Sequence, residues 1–482
     1  MNRPAAVRLL FLALLVTVFL PSGTGWSIHP REMEFGPLDW DPPEPGRVVM
    51  DNGLVVYFLE DDEVPLVEVT LYFRTGSVYD PAEKSGLARL AGRLVHHGGT
   101  ARRSPEQIDY ALDMMAADLE VYVRGTYIAV AFSVLKKDVD EGLDLLADLL
   151  RRPAFDPERV DLYRQERLEE IRRRYDRPGR IAAGEFRKMV YSSGSPWSRM
   201  ATAGSISSIK RGDLIRFHQR YFRPNNCIVS ICGDLTGHEM IRKIGAVLGD
   251  WESGNPTLPL LPKLEWNFVA QTGYVERAIS QSYIRVGHLG YRYHDPEEFG
   301  IEMMNYILGG GGFLSRLSRE IRSRRGLAYS ILSRLDPGED LGLFEIRCQT
   351  DAATTHETLT LILQIIHEIV ENPPGAEELE RAKEARINEF VFAFDSRARI
   401  VRQAAWLEYR GYPEGYLDHW VDRVRAVTAE DVHRAARRLL HPDGLTILVV
   451  GNESRFDRPL CEFGEVNRID LSIPCPFPGE KP

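Results

Sequence analysis

Twelve histidines and five cysteines are the places where metal or nucleophilic chemistry would sit. A zinc-binding helix sets two histidines on one face with a glutamate between them, so that both imidazoles reach one ion and the carboxylate works on its water. His238-Glu239, His356-Glu357 and His367-Glu368 each begin such a pair, and none continues to HExxH. All three are expected on solvated helix faces. His96 and His97 stand side by side, where a helix turns neighbours apart by about 100°. They are expected to cap a helix end and favour its dipole rather than share a metal. Cys227 and Cys232 lie on one apolar run, NCIVSIC; as strand residues five apart they point to opposite faces and are expected to be buried small hydrophobes. Cys348 has no obvious partner, and Cys461 and Cys475 flank a short tail where they could pair. No CxxC or Cys/His zinc spacing occurs.

Arg322 and Tyr329 are seven apart in IRSRRGLAYS, a spacing with no meaning by itself. Gly309, Gly310, Gly311 and Gly312 follow an apolar helical stretch. Two readings stand: a cap and tight turn, since glycine takes positive φ without strain, or backbone left open for a peptide. The frameworks of phosphate-binding loops are absent. The RRRYDRPGR run from Arg172 reads as a solvated helix end.

Several elements must hold these residues in place. Strand patterns occupy Leu54–Leu59, Leu66–Phe73, Ile279–Val286 and Leu343–Cys348. Helical periodicity dominates Glu83–His97, Glu141–Leu150, Asp156–Arg173, Asp295–Leu308, Thr355–Val370 and Ala376–Phe394. Strands and helices segregate, which predicts an α+β sandwich in each half. Two stretches match at an offset of 218: Pro224 with Pro442 and Gly233 with Gly451. Both read as an amphipathic helix, a proline turn and an apolar strand ending in glycine. The 482-residue chain therefore reads as two similar halves rather than the three domains its length suggests. The expected boundaries are a signal peptide at 1–25, an extension at 26–46, a first half at 47–253, a proline-rich linker at 254–264, a second half at 265–455 and a tail at 456–482.

Arg3 and Arg8, the apolar run Leu9 to Leu20 and the small residues Ser22 to Gly25 form the three-part pattern of a secretory signal. That run is too short to span a bilayer. Export to a periplasm is expected, with an uncleaved membrane anchor as the alternative. A net charge of −10 excludes polyanion binding as a first reading.

Four stretches resemble the pitrilysin/insulinase family of zinc peptidases in its short two-domain form. They are NGLVVYFLEDDEVPLVEVTLYFRTGS from Asn52, GLARLAGRLVHHGGT from Gly86, RYFRPNNCIVSICGD from Arg220 and, most specific, LGGGGFLSRLSREIRSRRGLAYSILS from Leu308. The resemblance implies two homologous halves that form half of a clamshell chamber for unfolded peptides, closed by a second chain.

It also implies where zinc would lie. The family's inverted HxxEH motif falls on Arg89, Gly92 and Arg93. A guanidinium has no lone pair for a metal and glycine cannot be a base. Only the third-ligand position keeps a carboxylate, Glu170, with Glu169 beside it. Arg89 and Arg93 either bridge to Glu170 or are solvated independently. In the second half Arg322 and Tyr329 resemble the family's pair of donors that hold a peptide carbonyl and its developing charge. Together with Gly309–Gly312 they are the implied substrate-binding residues. The resemblance thus implies a non-catalytic subunit that binds no cofactor itself, with zinc on an HxxEH-bearing homologous partner. The alternatives are a peptide-binding or structural relative without catalysis, and a zinc endopeptidase with an atypical site.

Overall fold

The computed structural model describes residues 42–471. The expected signal segment and Cys475 lie outside them.

The first half builds a six-stranded sheet from β1 (Gly46–Val49), β2 (Val55–Glu60), β3 (Leu66–Phe73), β4 (Asp118–Val123), β5 (Ile128–Leu135) and β6 (Cys227–Gly233), in the order β1-β2-β6-β3-β5-β4. Every pairing is antiparallel except β2 with β6. The second half uses β7 (Gln271–Glu276), β8 (Gln281–Leu289), β9 (Ala328–Asp336), β10 (Leu343–Asp351), β11 (Thr446–Gly451) and β12 (Val466–Arg468), in the order β12-β7-β11-β8-β10-β9. Again the late strand β11 runs parallel to β7 and antiparallel to β8. Mixed sheets covered by helices make this the α+β class that the strand and helix patterns predict. β6 and β11, the central strands, are buried at every residue, as their continuous apolar runs require.

Helices Leu87–His97, Val139–Arg151, Arg211–Tyr221 and Gly237–Leu248 cover one face of the first sheet. Their Leu90, Leu94, Leu143, Leu146, Leu214 and Ile244 join Val56, Val69, Leu71, Val130 and Phe132 in one core. Each such side chain contributes about 1.5–3 kcal/mol by leaving water.

The opposite face of each sheet is covered by a helix from the other half. Side chains alternate along a strand, so Tyr72, Ala129 and Ile228 face away from that core. They pack against Ala405 and Tyr409 of helix Arg397–Tyr409. Reciprocally, Ile181, Ala182 and Phe186 of helix Pro178–Tyr191 pack on Val275, Leu448 and Val450 of the second sheet. Polar ties reinforce the first exchange. Arg47 grips Glu408 with two bonds of 2.7 and 2.8 Å, and the Tyr57 hydroxyl donates to the same carboxylate at 2.5 Å. Burial and that carboxylate push the Tyr57 phenol up to about 12.

Two buried histidines are held neutral by burial and contribute to the pH dependence of stability. His218 bonds the carbonyl of Leu150 at 2.8 Å and His288 bonds that of Leu289 at 2.7 Å. Burial pulls each imidazole down to about 4, with help from Arg223 and His441 respectively. The unfolded chain titrates near 6.5, so between about pH 6.5 and 4 it binds the extra protons, and stability falls as pH falls through that window. In denaturant unfolding each histidine's contribution falls on the order of 1.4 kcal/mol per unit of pH across that window, while Asp80, pushed up to about 7 by burial, titrates in the opposite sense and offsets part of the loss. The His218→Gln variant should lose less stability over the same window than the wild type; an equal loss in both would refute the assignment.

Candidate functional site

Helix Leu87–His97 is started by buried Asp80, whose carboxylate accepts from the amides of Gly86 at 2.8 Å and Ala88 at 2.9 Å. These orphan donors need such a cap. Gly86 stands at φ +105°, a conformation that favours glycine, and sets the helix start four residues later than the Glu83 that periodicity alone predicts. Leu87, Leu90 and Leu94 turn inward. Arg89, Arg93 and His97, spaced by four, form a stripe on another face.

The guanidinium of Arg93 lies 5.0 Å over the ring of Tyr163, and His97 stacks on that same ring at 5.5 Å. Arg89 is exposed by surface area, yet the protein volume around it and the charges of Arg167 and Arg124 hold its pKa below the usual arginine value. It stays a cation. Glu170, on helix Pro157–Arg172, is exposed and pairs with Arg167 one turn away. No ion pair joins it to Arg89 or Arg93 among the described residues; Arg89 feels it only at longer range. The bridge to Glu170 is therefore not formed, because a closer partner on the same helix takes the carboxylate. Gly92 is buried against β4, where an added Cβ would lie 2.6 Å from Val123 Cγ2 and 3.3 Å from Val121 Cγ1. These residues do not fit zinc. They set two guanidinium groups, with Arg124 and Arg167 nearby, where a dication would need lone pairs.

In the second half, helix Glu298–Asn305 opens into a wider turn at Tyr306–Gly310 and meets the glycine run. A Cβ on Gly309 would lie 2.5 Å from the Ser333 amide of β9, and one on Gly311 would lie 2.6 Å from the Tyr306 ring. Gly312 has φ +55° and open space around it. The run therefore satisfies close packing and a turn at once. Arg316 forks onto Glu378 at 3.0 and 2.7 Å and fastens the segment that follows to helix Ala376–Phe392.

A second wide-turned helix, Ser318–Arg324, carries Arg322. Such widened turns often mark functional positions. Gly326 at φ +66° reverses the chain into β9. The result brings the two expected residues together: the Arg322 guanidinium sits 5.2 Å from the Tyr329 ring and 4.2 Å from that of Phe313. Tyr329 is 85% exposed, on the edge strand of its sheet, and Phe313 is 64% exposed. The pair is held by stacking at one side and open to solvent at the other.

Several expectations need correction. His96 and His97 do not diverge: their rings stack with centroids 3.8 Å apart and planes within 17°. At the last turn, ahead of Gly98, side-chain rotation overrides the 100° step. His238 and His367 are exposed as expected, but His356 is buried and its Nε2 meets Glu462 at 2.9 Å. Cys227, Cys232 and Cys348 are buried free thiols, pushed up by burial. Sequence reasoning missed a cavity of about 430 Å³ at the seam between the halves, lined by Arg124, Tyr127, Arg187, Trp197, Arg334 and Arg410 among others. Its residues come from both halves, with no shared spacing that could have marked them.

The two helix-covered sheets and the helices they exchange define a protein of two α+β halves. Two family profiles match, "Insulinase (Peptidase family M16)" over residues 55–191 and "Peptidase M16 inactive domain" over residues 208–386. The chain belongs to the insulinase family. It is 25% identical over 404 residues to an uncharacterised zinc protease of Streptomyces coelicolor, covering 82% of this chain and 87% of that one. A second uncharacterised zinc protease, from Bacillus subtilis, is 22% identical, with 84% and 97% covered. Among solved structures, the peptidase M16 inactive domain of Pseudomonas fluorescens superposes with a TM-score of 0.79 at 26% identity, covering 85% and 98%. The periplasmic protease PqqL of Escherichia coli shares the fold, with a TM-score of 0.72 at 15% identity over 94% of this chain and 51% of that one.

Proposed function

We propose that this chain is the non-catalytic, substrate-binding subunit of a heteromeric, exported zinc metallopeptidase acting on unfolded peptides. One observation carries the reading: Arg322 and Tyr329 meet on an exposed edge, while Arg89, Gly92 and Arg93 supply neither metal ligand nor base. The two halves, 47–253 and 265–455, form one side of a chamber. A partner chain bearing HxxEH forms the other and brings the zinc. Arg322 and Tyr329 donate hydrogen bonds to the scissile carbonyl held at that partner's site, and β9 offers its free edge to an extended peptide. No described helix is long and apolar enough to cross a membrane.

The test is reconstitution. The purified mature chain and an HxxEH homologue encoded beside it are assayed apart and together on a quenched unfolded peptide. Hydrolysis is expected only in the mixture. A partner that is fully active alone, and unchanged on mixing, would refute the reading and favour a relative that binds peptides without catalysis.

A further inference from the structure

We propose that His96, His97 and Asp109 form a binding site for a first-row transition-metal dication, one helical turn beyond the degenerate position. The inference goes beyond the proposed function and revises the expectation that this chain holds no metal; it does not depend on any partner.

His97 continues the stripe of Arg89 and Arg93 along the same helix face, and His96 stacks on it. Asp109 comes from the next helix, Pro105–Met114, and is exposed. One donor atom from each of the three residues lies within 4.8 Å of the other two. Bonds of about 2.0–2.1 Å in a tetrahedral site set donors about 3.4 Å apart. Closing a gap of up to about 1.4 Å, and turning the near-parallel rings so that their lone pairs converge, takes rotation of Asp109 and of both imidazoles. Two imidazoles and one carboxylate suit Zn²⁺ and its neighbours, whereas Mg²⁺ and Ca²⁺ prefer all-oxygen sites. Three protein ligands leave a fourth position for water.

The local charges allow this. Asp118, at the head of β4, adds a second carboxylate field at His96. Arg93 and Arg159 oppose a cation at His97; Arg159 is partly offset by Glu106 at 2.8 Å, and Arg93 lies on Tyr163. Among the described residues neither imidazole has a hydrogen-bond partner; the stacked pair is packed on the Tyr163 ring. A bound ion would clip the end of helix Leu87–His97 to helix Pro105–Met114 and close the 98–104 loop, which leads toward edge strand β4. It would be structural.

The mature chain, purified alone and stripped with chelator, is titrated with Zn²⁺ by calorimetry near neutral pH and its metal counted by mass spectrometry. One equivalent is expected. His97→Ala and Asp109→Asn should each weaken binding about tenfold or more, while Glu170→Gln leaves it unchanged. Asp109 is exposed and its replacement conservative, so folding is preserved even if His97→Ala disturbs the stack on Tyr163. Cobalt substitution adds a visible absorption band that Asp109→Asn alters. No binding, binding indifferent to Asp109→Asn, or loss of the ion in Glu170→Gln would each overturn the proposal. None of these readouts uses peptide hydrolysis, so its failure is distinct from failure of the subunit assignment.

Discussion

In a mixture with the HxxEH homologue proposed as its partner, the chain carrying both Arg322→Ala and Tyr329→Phe is expected to lose about 10²–10³-fold in kcat, the range found when an oxyanion donor is removed. On the proposed reading the two groups act on one carbonyl, so the double variant should fall little further than the worse single variant. The loss should lie mainly in kcat, because the donors gain most as negative charge develops. Stability should hardly move. Tyr329 is almost fully exposed, and phenylalanine keeps the ring that Arg322 stacks on. Association of the two chains, followed by size-exclusion chromatography, should also persist. A mixture that keeps its wild-type rate with this double variant would remove the pair from catalysis and with it the case for a subunit that completes the site.

The elements around this pair were legible in the sequence to differing depths. β3 matches its predicted bounds at both ends, because alternation and β-branching both favour strand there. The segment ending in Tyr329 was legible only through family resemblance. Seven residues of spacing say nothing until a widened helix and Gly326 fold them back. The reciprocal helix exchange was not legible at all. The apolar face of Pro178–Tyr191 reads the same whichever sheet it covers, and nothing local names the second sheet as its partner. The Glu170 bridge failed for a competitive reason, since Arg167 sits one turn away and reaches the carboxylate first. The stacked histidines escaped because an ideal-helix angle describes backbone directions, while ring positions at a helix end follow side-chain torsions and the Tyr163 ring they pack on.

Rebuilding the ancestral-looking motif as Arg89→His, Gly92→Glu and Arg93→His is expected to unfold the chain rather than convert it into a zinc peptidase. The obstacle is Gly92. Even alanine there puts Cβ 2.6 Å from Val123 Cγ2, far inside contact distance, and 3.3 Å from Val121 Cγ1. Valine is stiff about χ1, so relief must come from moving β4 or the helix. Overpacking of this kind costs about 1–3 kcal/mol. Helix propensity returns only about 1 kcal/mol when glycine is replaced. Glutamate adds two methylenes and a carboxylate at a buried position with no partner in place, a further desolvation cost of several kcal/mol. A net stability of about 5–15 kcal/mol leaves little margin for both. Thermal unfolding should therefore show Gly92→Glu alone to be severely destabilised, while the Arg89→His and Arg93→His pair unfolds close to the wild type. Adding Val123→Ala should recover part of the loss by opening the space that β4 now fills. A stable Gly92→Glu chain would mean that β4 yields easily, and the glycine would then be a relic of lost catalysis rather than a packing requirement of this fold.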